Sequence, residues 1–65
     1  MNQACYIVED LDMGATVRTV TREGAESVFD AFAGRGHEVE LRHRDDDGRE
    51  TFIKRYAGQR GRSRT

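Results

Sequence analysis

The side chains in this sequence with the greatest chemical capacity are one thiol, Cys5, two imidazoles, His37 and His43, and three consecutive carboxylates, Asp45, Asp46 and Asp47. A thiol beside an imidazole makes a nucleophile with its base. Cys5 lies in an apolar, β-branched stretch, where a thiol is ordinarily buried and inert. His43 stands one residue before the three aspartates, an imidazole and carboxylates of the kind a divalent cation takes. Adjacent aspartates in an extended turn point in different directions, however, and the alternating spacing and downstream glutamate of a calcium loop are missing. The run is therefore expected to be a solubilising hairpin tip with no metal. The sequence holds no glycine-rich phosphate loop, paired CxxC motifs, zinc-type histidine spacing or elbow nucleophile. A chain of 65 residues also has little volume for a concave pocket. These features point to a non-enzyme with no catalytic residue and no cofactor.

Charge is the other chemistry available. The formal net charge is −1, yet residues 1–56 hold eight basic and twelve acidic side chains while Arg60, Arg62 and Arg64 all follow them. The near-balance is the sum of an acidic body and a basic tail. Glu23, Glu26 and Asp30, at i, i+3 and i+7, fall on one helical stripe. Such a stripe could present carboxylates to a basic groove that normally holds phosphates. The bases gather late, with Arg42, Arg44 and Arg55 in the last two extended segments and Arg60, Arg62 and Arg64 beyond them. Guanidinium groups contact phosphates and aromatic rings stack on unpaired bases. Arg18, Arg42 and Arg44 beside an outward Tyr6, Phe52 or Tyr56 would thus form a basic, aromatic face for DNA or RNA. The ordinary alternative is a solvated surface whose charges pair across strands, Glu40 with Arg55 for instance.

These residues need a scaffold. Ala4 to Asp10 is β-branched and aromatic and ends at the turn-prone Asp12-Met13-Gly14, and Ala15 to Val20 continues the character, so the two form a candidate hairpin. Ala25, Val28, Phe29, Phe32 and Ala33 then recur at helical spacing, predicting a helix from about Arg22 to Ala33. Thr21 can cap its start, and Gly34 or Gly36 can take the left-handed position at its end. His37 to Arg44 alternates, with Val39 and Leu41 on one face. Asp47-Gly48 then turns the chain into Glu50 to Tyr56. The facing of that last strand is open. A two-residue loop sets Phe52 and Tyr56 beside Leu41 and Val39, whereas a three-residue loop with a glycine bulge sets Ile53 there and turns both aromatics outward.

The order ββαββ implies an α+β domain of two layers, an antiparallel sheet of about four strands with one helix across it, over residues 1–56. Residues 57–65 hold three arginines, no acid and no large apolar group, and are expected to form a disordered Arg/Gly tail. The core is thin, with twelve Leu, Ile, Val and Phe residues in all, so a partner or a homodimer would add to stability. One cysteine, no signal-peptide pattern and no apolar run of spanning length suggest a cytoplasmic protein without a membrane partner.

A short chain that opens Ala-Cys-Tyr-Ile-Val-Glu and runs two strands, a helix carrying Ala25, Val28, Phe29 and Phe32, and a final hairpin closed by Asp-Asp-Gly resembles small phage-encoded anti-CRISPR proteins of the sheet-plus-one-helix type. The resemblance lies in size and element order over residues 4–56, and no motif carries a functional residue across. It implies a mobile-element inhibitor that docks on a host protein or ribonucleoprotein, a CRISPR surveillance complex, and blocks nucleic-acid engagement. A weaker similarity links the chain to the sheet-and-helix DNA-binding modules that open phage-type integrases, which carry a third strand before the helix and an uninterrupted basic face. The expected contacts are Glu23, Glu26 and Asp30 as phosphate-like groups, and Arg42, Arg44 and Arg55 with the tail arginines as the basic set. The alternative is a nucleic-acid-binding module using the sheet face and tail.

Overall fold

A computed structural model describes residues 3–58. The elements in chain order are β1 (Cys5–Asp10), β2 (Ala15–Thr19), α1 (Arg22–Gly34), β3 (Val39–Arg44) and β4 (Glu50–Tyr56). The protein is α+β, with one four-stranded sheet in the spatial order β2-β1-β3-β4. Every neighbouring pair is antiparallel, including the central β1–β3 pair, whose strands are joined through β2 and the helix. No helix is long and apolar enough to cross a membrane among the described residues.

The helix begins where its sequence allows. Thr21 is extended and its hydroxyl accepts from Gly24 N–H at 3.1 Å, satisfying one of the donors that the first turn leaves free. At the other end the N–H groups of Arg35 and Gly36 return to Phe32 and Ala33, and Gly36 takes the left-handed conformation that reverses the chain. Alternation along each strand divides the sheet into a face beneath α1 and a face that no other element covers among the described residues. Val8, Val39 and Leu41 lie under Ala25 and Phe29 as the buried core, with Tyr6, Val28, Phe32, Ala33, Ile53 and Tyr56 packed around them.

The facing of β4 follows neither expected pattern. The loop between Asp45 and Arg49 holds three residues, with Gly48 at φ 91°. A bulge then interrupts the β3–β4 register, which steps from Arg42↔Phe52 to Leu41↔Lys54 and leaves Ile53 as the extra residue. The extra residue changes the parity of the strand. Phe52, on the hairpin side of the bulge, points to the open face opposite Arg42, whereas beyond it Tyr56 is turned inward, so that Ile53 and Tyr56 both pack on the core. Beyond β4, Gly58 is buried, and its backbone lies against that of Gly36, His37 and Glu38.

Candidate functional site

The open sheet face collects the basic residues singled out in the sequence. Strand parity and register place Arg18, Ile7, Arg42 and Phe52 in one row across the sheet, with Thr16, Glu9, Glu40 and Arg55 on one side of it and Cys5, Arg44 and Glu50 on the other. Ile7 is only 4% exposed although no layer among the described residues covers it. Its partners on both sides are arginines, whose aliphatic stems can lie over apolar surface while their heads stay wet. Phe52 is 58% exposed.

Arg42 is surrounded by acids. Its guanidinium lies 3.4 Å from Glu9, 3.3 Å from Glu40 and 3.2 Å from Glu50. The contact to Glu50 is made by a buried Nε that is not aligned for a hydrogen bond, so it is electrostatic alone. Arg55 stands opposite Glu40 in the register, but its guanidinium pairs with Glu38 and not with Glu40. Arg44 and Arg18 have no ion pair among the described residues. Of the aromatics proposed for a stacking face, Phe52 alone is on it. Tyr6 is on the helix side with its ring 4.8 Å from that of His43, and Tyr56 packs on the core. Arg60, Arg62 and Arg64 lie outside the described residues.

The acidic stripe is split by the same fold. Glu23 and Asp30 are exposed on the outer side of α1. Glu26 is turned toward β4, where it binds Lys54 and, at 3.3 Å, Arg22. The hydrogen bond from Lys54 holds the Glu26 carboxyl below the usual glutamate value, with burial opposing and Arg22 assisting. The Lys54 ammonium also sits 4.6 Å from the centre of the Phe29 ring, so the residue after the bulge ties β4 to the helix by charge and by ring.

The remaining chemical candidates are dispersed. Cys5 and His43 project from opposite faces of the sheet, and His37 lies at the far end of β1. The three carboxylates at the second hairpin approach to within 4.8 Å of one another. Asp45 Oδ1 accepts from the N–H groups of Asp47 and Arg49, so this carboxylate holds the turn.

One polar cluster was not apparent from the sequence. Asp10 is fully buried at the end of β1. Its Oδ1 accepts from the N–H groups of Asp12 and Met13, and its Oδ2 lies 2.6 Å from His37 Nδ1. Burial pushes the carboxyl up, but His37 and the two backbone donors outweigh it and leave the group below its ordinary value. Around it, Leu11 N–H donates to Glu38 O at 2.8 Å and Glu38 N–H to Asp12 at 3.2 Å. The β1–β2 turn and the α1–β3 connection are thereby joined at one node. The alternation of β1 put Asp10 on the core side with Tyr6 and Val8, which was the one local sign of this. Its partner 27 positions away carried none.

No protein-family model, curated protein or solved structure matches the chain.

Proposed function

We propose that this protein is a non-enzymatic binding protein that docks on a host nucleoprotein complex and blocks nucleic-acid engagement, as the resemblance to anti-CRISPR inhibitors implies. The observation that carries this reading is the separation of charge between the two layers. Glu23 and Asp30 stand free on the outer side of the helix, two turns and about 10.5 Å apart along its axis. Arg18 and Arg44 have no ion pair among the described residues and lie on the opposite face, with Arg18 at one edge of the sheet and the exposed Phe52 at the other. Carboxylates held on a rigid helix suit a groove built for phosphates, and the mixed sheet face suits a protein surface more than a polyanion. Three glutamates around Arg42 oppose a nucleic-acid backbone there, which places direct nucleic-acid binding second.

The test measures target-DNA binding by purified CRISPR surveillance complexes with and without a stoichiometric amount of the protein. Inhibition by the wild type and its loss in the Glu23→Lys, Asp30→Lys double variant, which touches no ion pair among the described residues, is the expected result. Uninhibited target binding across the complexes overturns the reading. Binding of nucleic acid by the protein alone, falling steeply with salt, would put the second reading in its place.

A further inference from the structure

The two edges of the sheet are built differently. On β4 the register is broken by a bulge and Lys54 is turned inward, two devices by which edge strands avoid pairing with other chains. On β2 there is neither. Its five residues, Ala15 to Thr19, are regular, carry no inward charge, and have no strand on their outer side among the described residues. Exposed apolar residues bracket it, Met13 at 62% and Val20 at 69%. The helix also leaves this edge clear. At 100° per residue Gly24, Val28 and Ala31 lie on the β2 flank, and a Cβ on Gly24 would stand 3.6 Å from Thr19. No long side chain overhangs the strand from that flank.

We infer that β2 is the dimerisation edge of this protein, pairing antiparallel with β2 of a second copy to give one continuous eight-stranded sheet. A two-fold axis perpendicular to the sheet keeps faces matched, so it must pass through a residue. Three centres are available. Placed on Arg18, the axis sets like charges directly opposite each other, which is destabilising. Placed on Thr16, it pairs only three strand residues with one another and brings Gly14 against Arg18. Placed on Val17, it pairs all five: Val17 with itself on the helix face, Thr16 with Arg18 of the other copy on the open face, and Ala15 with Thr19. That register has no like-charge pair and adds a valine contact beside each core. In that register each Arg18 meets Thr16 of the other copy, so a second copy pairs along the whole strand without setting like charges against each other.

The experiment is sedimentation of the full chain over a concentration series, with three variants checked for folding by circular dichroism. Wild type is expected to move from 7.4 kDa to twice that mass as concentration rises. Thr16→Arg sets arginines opposite each other in the dimer while facing Glu9 within its own protomer, so it should fold and weaken dimerisation at least tenfold. Adding Arg18→Glu to it restores an opposite-charge pair in this register alone and should restore the dimer. Val17→Cys in a Cys5→Ser background should cross-link to a covalent dimer under mild oxidation. A wild type that stays monomeric at all concentrations overturns the inference. So does a dimer insensitive to Thr16→Arg, or one in which the second substitution fails to rescue. Strand addition by an unrelated peptide to a chain that remains monomeric would overturn it as well.

Discussion

Asp10 is the most consequential single position for stability. Replacing it with alanine removes an acceptor from the Asp12 and Met13 N–H groups and from His37 Nδ1, at a site with no exposure to water. Hydrogen bonds to a charged group contribute about 1.5–3 kcal/mol each, and are not additive when they share one acceptor group. The loss for Asp10→Ala is therefore about 3–5 kcal/mol. A folded unit of this size has about 3–8 kcal/mol in total, so the variant should be largely unfolded or close to it at 25 °C. Asp10→Asn keeps one oxygen for the two backbone donors and disturbs only the histidine side, for a loss of about 1–2 kcal/mol. The sign of the pH dependence follows from the carboxyl lying below its ordinary value of 3.8. Its contribution is fully present above that value and is lost as pH falls through the lower, folded-state value. Urea unfolding followed by circular dichroism at pH 7 and in steps down to pH 2 reads all three quantities. The gap between wild type and Asp10→Asn should close as pH falls below about 4. A loss under about 1 kcal/mol for Asp10→Ala, or a gap that widens below about pH 4, would refute the reasoning.

Three further substitutions test the last part of the described chain. Gly58→Ala places a Cβ 2.9 Å from Gly36 O at a residue with φ 82°, so it should lower stability by about 1–3 kcal/mol in thermal unfolding. The opposite facing of Phe52 and Ile53 predicts opposite outcomes at neighbouring positions. Phe52→Ser should change stability by no more than about 0.5 kcal/mol, while Ile53→Ala, half-buried against the core, should cost about 1–2 kcal/mol in urea unfolding.

The elements were legible because each rests on local chemistry. Thr21 caps a helix whose apolar residues recur at helical spacing, Gly48 allows the turn, and Val39 and Leu41 alternate with charge. The sheet order and the site were less so, because they depend on long-range pairing. Nothing near β1 in sequence says that β3 will be its neighbour, and so nothing says that Glu9 will join Glu40 and Glu50 around Arg42. The pairing of Arg55 with Glu38 in place of Glu40 has the same origin. Register fixes which Cα atoms oppose each other, but a long guanidinium side chain reaches past its neighbour to whichever carboxylate is less engaged. Glu40 is already held by Arg42.

The bulge at Ile53 connects these results. A single extra residue in β4 brings Lys54 in over Phe29 and Tyr56 onto the core, while Phe52, which precedes it, stays on the open face opposite Arg42. Lys54 then captures Glu26, which reduces the free acids of the helix stripe to Glu23 and Asp30. The same irregularity breaks the outer hydrogen-bonding pattern of β4 and closes that edge to further strands. With β4 closed, β2 is the regular edge that remains among the described residues. Deleting Ile53 would restore regular pairing with Phe52 still opposite Arg42 and Lys54 still opposite Leu41, so Glu26 would keep its partner while β4 lost the bulge that interrupts its edge, leaving the sheet with two regular edges.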